Sequence, residues 1–314
     1  MDRFTVRFWG VRGSLATAGP DFVGVGGNTS CVEVRVGDEI IILDAGTGVF
    51  PLGQSLKADV RATFLLSHLH WDHIQGFPFF RPAYVAGNAF TLYGPSADGR
   101  ALAAAFERQM AAPHFPVGLD VLAAHLDFRV IRSGDEIRIG PARVRAAALN
   151  HPQGCLGYRI AVDDVSLVYA TDTEPRESGR VDGALLELVR GTDLLIFDAQ
   201  YTDDEYVGRT GPPRKGWGHS TITEACRVAR AGGVHQLALF HHDPTHDDAV
   251  MDEILRGARA LFPNTITACE GLVLNLGHDA DRSQRRRSAR RATSPTAADT
   301  LEASDMACAP HPQR

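Results

Sequence analysis

A dense run of potential metal ligands follows an apolar segment in the first quarter of the chain. Residues 61–66 have the apolar character of a buried strand, and His68, His70, Asp72 and His73 come directly after them. A strand that ends in a tight loop can direct several imidazoles and a carboxylate toward one point. Imidazole nitrogen and carboxylate oxygen suit zinc, manganese or iron. The spacing therefore predicts a metal site at a strand end rather than a polar loop with incidental histidines.

Further candidate ligands occur where three later predicted strands end, at His151, Asp172 and His241. A single histidine after a strand is usually a satisfied surface or capping side chain. Repeated ligand types at strand ends are instead what a metal site at one edge of a sheet sandwich requires. His242 directly follows His241, and the residues alone leave open which of the two is the ligand.

The chain divides by composition into residues 1–277, predicted to be one folded hydrolase domain, and an Arg/Ser/Ala-rich tail, 278–314. Strands are predicted at 4–9, 31–36, 39–43, 61–66, 90–93, 143–149, 157–162, 166–169, 194–197, 236–240 and 272–276. Helices are predicted at 96–110, 181–189, 221–231 and 247–261. Strands dominate early and helices join them later, which favours an α/β domain with two packed sheets and outer helices. The tail has almost no large apolar residue and is predicted to be disordered.

Composition also excludes some classes of protein. The chain has no run of eighteen apolar residues and begins with charged side chains, which argues against a membrane span and against export. Its five cysteines have no paired spacing and are predicted to be free thiols in a reducing cytoplasm. The net charge is −6, although the tail has a small positive excess, so the folded part is acidic. An acidic body argues against a long nucleic acid as substrate, apart from a weak contact by the tail arginines.

In these features the chain resembles the metallo-β-lactamase-fold hydrolases, with Leu43–Gly48 ahead of the histidine motif and the ligand segments in the family's order. The resemblance implies a four-layer αββα sandwich that holds two divalent metal ions, usually zinc, with manganese or iron as alternatives. It implies one metal held by His68, His70 and His151, a second held by Asp72, His73 and His241, and Asp172 as a bridge between them. The family's Leu-x-His pattern favours His241 over His242.

Three segments resemble the branch that contains ribonuclease Z and the cyclic-nucleotide phosphodiesterases. Residues 218–221 match a His-Ser-Thr signature in which the histidine, here His219, assists catalysis, and Asp198 falls where that branch has a carboxylate that orients this histidine. The segments 9–14 and 26–31 also resemble this branch. Arg12 and Asn28 within them are the candidate substrate-binding residues. The guanidinium of Arg12 can pair with a phosphate. A hairpin with a surface arginine is the alternative.

The resemblance thus predicts hydrolysis of a small (cyclic) nucleotide or a similar phosphodiester by a metal-bridging hydroxide, with Asp72, His219 and Asp198 as the catalytic residues. No long basic arm is evident between Asp172 and His219, which disfavours transfer RNA. The alternatives are a lactonase or thioesterase on the same scaffold, a tRNA 3′-processing endoribonuclease, and a non-catalytic nucleotide sensor that binds metal. The natural substrate, the metals and the oligomeric state, including a homodimer, stay open.

Overall fold

The computed structural model describes residues 4–57, 59–176 and 179–277. The predicted disordered tail lies outside these ranges, and the predicted division at residue 277 stays a prediction. The strands are β1 (Phe4–Gly10), β2 (Cys31–Val36), β3 (Glu39–Leu43), β4 (Arg61–Leu65), β5 (Ala89–Gly94), β6 (His125–Val130), β7 (Glu136–Ile139), β8 (Ala142–Leu149), β9 (Cys155–Val162), β10 (Val165–Ala170), β11 (Leu194–Asp198), β12 (Gln236–Phe240), β13 (Thr265–Thr267) and β14 (Val273–Leu276).

The helices are α1 (Val49–Ser55), α2 (Trp71–Ile74), α3 (Gly99–Gln109), α4 (Gly183–Val189), α5 (Asp203–Val207), α6 (Ile222–Gly232) and α7 (Asp248–Leu261). Short 3-10 turns lie at Pro20–Phe22, Phe77–Phe79, Arg81–Tyr84 and Leu119–Val121. Across the described ranges, the helices are all too short or too polar to cross a membrane.

The strands form two seven-stranded mixed sheets. The first has the order β14-β1-β2-β3-β4-β5-β6 and the second the order β13-β12-β11-β10-β9-β8-β7. Pairing is parallel from β3 to β6 and from β10 to β13, and antiparallel elsewhere. Because β8 and β10 both run antiparallel to β9, the carboxyl ends of β8, β10, β11 and β12 meet at one edge of the second sheet. Ligands in such sheets lie beyond the carboxyl ends of the strands.

Alternation of side chains divides the apolar residues between an inner and an outer core. Inward-facing residues such as Val34 and Leu65 of the first sheet pack with Val144 and Tyr158 of the second. On the outer face of the first sheet, Phe64 stands amid an aromatic cluster, 5.5 to 6.1 Å between ring centroids from Phe77, Phe80 and Phe90.

Residues of α1 and α3 complete that outer layer, and residues of α4, α6 and α7 pack against the second sheet. The predicted four-layer αββα sandwich is confirmed.

Candidate metal centre

The side chains predicted to hold metal converge where β4, β8, β10 and β12 end. One set of donor atoms belongs to His68, His70 and His151, whose ligand atoms lie within 4.8 Å of one another. His151 Nε2 is 3.2 Å from His70 Nδ1, and His68 Nε2 is 3.6 Å from Asp172 Oδ2. His68 Nε2 is buried without a hydrogen-bond partner in the described part of the chain. A buried polar atom without a partner is costly, so this nitrogen fits a metal ion.

The remaining ring nitrogen of each of these three histidines is already engaged, and that of His68, Nδ1, lies 3.1 Å from the Ser67 hydroxyl oxygen. His151 Nδ1 lies 2.9 Å from the carbonyl oxygen of Gly218, and His70 Nε2 lies 2.8 Å from the Gln153 side-chain oxygen. An N–H that donates to a carbonyl leaves the lone pair of the other nitrogen free for a metal. Burial lowers the pKa of both His68 and His151, which keeps them neutral, as a metal ligand must be.

A second set of donor atoms comprises Asp72, His73 and His241. The Nε2 atoms of the two histidines are 3.2 Å apart, and His241 Nε2 is 3.2 Å from Asp72 Oδ2. His73 Nδ1 lies 2.7 Å from Asp44 Oδ2, and His241 Nδ1 lies 3.0 Å from the side-chain oxygen of Gln200. These carboxylate and amide oxygens orient both imidazoles so that Nε2 faces the cluster.

Asp172 lies between the two sets. Its Oδ1 is 3.3 Å from both His73 Nε2 and His241 Nε2, while its Oδ2 faces His68. Burial alone raises the pKa of Asp172, but His241, His73 and His68 outweigh burial and hold the pKa well below its usual value. A carboxylate with one oxygen toward each set is suited to bridge two cations.

The structure separates the two adjacent histidines. His241 directs Nε2 at the cluster and Nδ1 at the Gln200 side-chain oxygen, whereas His242 is fully buried with Nε2 3.0 Å from the carbonyl oxygen of Ala268. Burial lowers the pKa of His242 to about 3, so it is a neutral packed side chain. Of the pair, His241 is the one with a ring nitrogen beside the other donor atoms of the cluster.

A histidine–carboxylate pair stands beside the cluster. His219 Nδ1 is 3.1 Å from Asp198 Oδ2 and 3.8 Å from Asp172 Oδ2. Its ring stacks on His241 with centroids 4.9 Å apart. Burial alone lowers the pKa of His219, but the charge of Asp198 and the hydrogen bond to it, with further charge from Asp172 and Asp72, raise the pKa to about 9. Nδ1 is therefore committed to Asp198, and His219 is set up to carry a proton.

Two glycines allow loops to lie directly on the ligand histidines. A Cβ atom at Gly13 would lie 2.2 Å from His241 Nδ1, and a Cβ at Gly218 would lie 2.2 Å from His151 Nδ1. Gly218 also has a φ of +91°, which L side chains rarely adopt. Both segments were singled out by motif, and the structure gives the physical reason for their glycines.

The two candidate substrate-binding residues lie outside the cluster. Arg12 is 0% exposed, and its guanidinium donates to the carbonyl oxygens of Gly26, Asp243 and His246. Asn28 donates its side-chain amide to a Glu270 carboxylate oxygen at 3.0 Å. Arg12 is therefore not a surface arginine, because its Nε and Nη1 donate to the backbone of neighbouring loops, while its Nη2 is buried without a hydrogen-bond partner among the described residues. Its role toward a substrate stays a prediction.

Some positioning residues were not singled out from the sequence. Asp44, buried after β3, accepts hydrogen bonds from the Ser67 backbone, the Ser67 hydroxyl and the Tyr169 hydroxyl as well as contacting His73. Gln200 contacts His241 and donates to the Ser14 hydroxyl. Asp44 lies in the Leu43–Gly48 segment that resembles the family, and a carboxylate at a strand end is a sequence feature that could have predicted its role. Gln200 follows β11, and an amide there has no sequence feature that predicts a contact with a ligand histidine.

Comparison with known proteins decides the family. A family model described as a beta-lactamase superfamily domain matches residues 40–242, which is most of the described chain. The chain belongs to the metallo-β-lactamase superfamily. Ribonuclease Z of Synechococcus sp. (strain CC9311) is 30% identical over 309 residues, covering 80% of this chain and 94% of that protein.

Solved structures show the same fold. The metallo-beta-lactamase fold protein YhfI from Bacillus subtilis is 21% identical with a TM-score of 0.67, covering 88% of this chain and 100% of that one. The short form of human tRNase Z is 21% identical with a TM-score of 0.62, covering 86% and 98% of the two chains. This superfamily member is a metal-dependent hydrolase, as predicted, and its His/Asp cluster is compatible with two metal ions.

Proposed function

We propose that this hydrolase cleaves phosphodiesters, with a small nucleotide, cyclic or linear, as the substrate class. The observation that carries the proposal is the Asp198–His219 pair, placed 3.8 Å from the Asp172 carboxylate that faces both donor sets. Breaking a phosphodiester leaves a poor leaving group, an alkoxide, which needs a proton or a compensating charge. A positioned histidine at the edge of a two-metal site supplies that need.

The donor atoms assign the metal ligands in this proposal. One ion would be held by His68, His70, His151 and an Asp172 oxygen, and the other by Asp72, His73, His241 and the second Asp172 oxygen. When bound, two divalent cations in such a site supply Lewis acidity toward a phosphoryl oxygen and lower the pKa of a water molecule. The nitrogen-rich donor sets suit zinc, with manganese and iron as alternatives.

In this proposal, Asp198 and His219 deliver a proton to the leaving oxygen. Asp198 holds His219 Nδ1, so Nε2 is the atom available to a leaving oxygen. The carboxylates keep His219 protonated by raising its pKa to about 9, and two cations nearby would oppose that rise and bring the pKa closer to neutrality. A group with a pKa near the working pH is the most effective general acid. Asp72 would orient the attacking water in addition to binding metal.

The decisive experiment removes the proton donor while it retains the metal ligands. His219→Ala should lower kcat for a linear dinucleotide by about 10²- to 10⁴-fold, because the alkoxide leaving oxygen then departs unprotonated, whereas bis(p-nitrophenyl) phosphate, whose leaving group needs no proton, should be much less affected. Metal content, measured by inductively coupled plasma mass spectrometry, should stay at the wild-type level. His125→Ala removes an exposed histidine on β6 and should leave both readouts unchanged. Wild-type turnover in His219→Ala would refute the proposed role.

The similarity to ribonuclease Z supports a second candidate, a tRNA 3′-processing endoribonuclease, since the alignment spans 94% of that relative. Small diesters are favoured over transfer RNA because the described residues between Asp172 and His219 form α4, β11, α5 and their loops, with no long basic arm. A substrate panel separates the candidates. Cyclic nucleotides, linear dinucleotides and a 3′-extended transfer RNA precursor test the phosphodiesterase hypotheses. Lactones and thioesters test for the other hydrolase activities considered for this scaffold.

A further inference from the structure

An aromatic cavity of about 490 Å³ lies against the loop that carries the histidine motif. Its lining includes Leu69, Trp71, Phe79, Arg108, His114 and Phe115. Leu69 and Trp71 alternate along the chain with His68, His70 and Asp72 of the metal cluster. The same short segment therefore forms part of the metal site and part of the cavity wall.

Two large aromatic side chains at this cavity are exposed to solvent. Trp71 is 77% exposed although the three residues after it in α2 are buried, and Phe79 is 56% exposed. Phe79 packs edge-to-face on Phe115 with ring centroids 5.6 Å apart, so its position is set by a neighbour. Neighbouring exposed aromatics at the wall of a cavity mark a binding site more often than an inert surface.

The cavity also has a polar side. Arg108 is exposed and makes no ion pair or hydrogen bond with the described residues, and His114 is exposed beside it. An unpaired guanidinium near exposed aromatic rings suits a ligand that has both a flat π-face and hydrogen-bond acceptors on its edge. A nucleobase has both of these features.

We propose that this cavity, bounded by Trp71, Phe79 and Arg108, is the nucleobase subsite of the enzyme. A substrate whose phosphate lies at the metal cluster places its nucleoside along the motif segment, where Trp71 offers a stacking face. Arg108 then faces the hydrogen-bond acceptors on the edge of the base. A volume of about 490 Å³ falls in the ordinary range for a small-molecule site. This inference rests on the proposed phosphodiesterase activity and specifies its substrate as nucleoside-containing.

The test measures binding with and without a base. Adenosine 5′-monophosphate and ribose 5-phosphate share the sugar and phosphate, so their affinity ratio, measured by isothermal titration calorimetry on the metal-loaded protein, isolates the base. Stacking on an aromatic side chain is expected to favour the nucleotide by about 5- to 100-fold. Trp71→Ala should bring the ratio close to one, and Trp71→Phe should retain much of it because a π-face remains. Phe50→Ala, a half-exposed aromatic on α1 that does not line the cavity, should retain the wild-type ratio.

Equal affinity of the wild type for the two ligands, or absence of nucleotide binding at millimolar concentration, would overturn the subsite. So would a ratio that survives in Trp71→Ala. Hydrolysis is scored separately with methyl p-nitrophenyl phosphate, which has no base. No hydrolysis of this or any other diester refutes the proposed activity, whereas hydrolysis without base-dependent binding refutes the subsite alone. Phe79→Ala provides a second variant at the same wall and should also lower the ratio.

Discussion

Replacing Gly218 with alanine tests how the protein aims His151. The new Cβ would lie 2.2 Å from His151 Nδ1, whereas real Cβ atoms essentially never come within 3.0 Å of another atom. Either the imidazole or the Gly218 backbone must therefore move by at least several tenths of an ångström. That shift breaks the 2.9 Å hydrogen bond from Nδ1 to the Gly218 carbonyl, which fixes Nε2 toward the cluster. Loss of such an orienting contact typically weakens metal binding by about 10- to 100-fold.

A matched control lies two residues away in the same loop. Gly216 has a φ of +87°, close to the +91° of Gly218, and a Cβ there would meet nothing within 4 Å. Both alanine variants thus incur the same left-handed backbone penalty of about 1–2 kcal/mol, and only Gly218→Ala displaces His151. Zinc affinity is measured by competition with a chromophoric chelator, and unfolding by thermal melts. If the two variants bind zinc equally well, the contact between Gly218 and His151 does not position the ligand.

Three further predictions concern the supports of the site and its loops. Asp44→Asn should weaken zinc binding by about 10- to 100-fold, read by the same chelator competition, because His73 Nδ1 loses the carboxylate 2.7 Å away; unchanged affinity would contradict this. Arg12→Met should lower the unfolding free energy in urea by about 2–4 kcal/mol, because it leaves buried carbonyl oxygens without their donor. The same variant should have an unchanged KM for a diester. A raised KM together with wild-type stability would instead support a role of Arg12 in substrate binding. Burial alone raises the pKa of Glu205, but hydrogen bonds from His246 and the Thr202 backbone outweigh it and lower the pKa from 4.5 to about 2. The stability that Glu205 contributes is therefore complete above pH 4.5 and is lost as the pH falls toward 2. At neutral pH, Glu205→Gln should have an unfolding free energy in urea about 1–2 kcal/mol below that of the wild type, after allowance for the partial exposure of Glu205. This difference in unfolding free energy should narrow between pH 4.5 and pH 2.

Long or strongly apolar elements were predictable from sequence, and short ones were not. Strands such as β10 and β12 are buried and rich in large apolar residues, and α6 and α7 have capping side chains at Thr221 and Asp247. The strands β6, β7 and β13 were missed. They are short or partly exposed edge elements whose pairing depends on a neighbour distant in sequence. The helix α2 is only four residues long, which is too short for an apolar period to predict it.

The sequence was informative for donor atoms and less so for orientation. The spacing of the histidine motif and the later strand-end residues placed all seven predicted ligands in one cluster. Arg12 shows the opposite limit. Its chemistry fits a phosphate and equally fits backbone carbonyl oxygens, and only the tertiary fold, which brings the segment at 243–246 against it, shows that it makes three contacts of the second kind. A guanidinium in a glycine-rich segment therefore does not identify a substrate contact unless the packing around it is known.

Backbone conformation explains why the ligand geometry is hidden from local sequence. Asp44, Asp172 and His241 follow three different strands, and each has a φ of between +54° and +60°. Left-handed conformations are uncommon for residues other than glycine, and nothing in their neighbouring residues requires one. Each of the three is buried and makes contacts inside the cluster, so the surrounding structure holds the backbone in this conformation. The turn directs the side chain across the sheet edge instead of along the strand. Strain of this kind persists only where other contacts outweigh it, and at these three positions those contacts are the ones made inside the cluster.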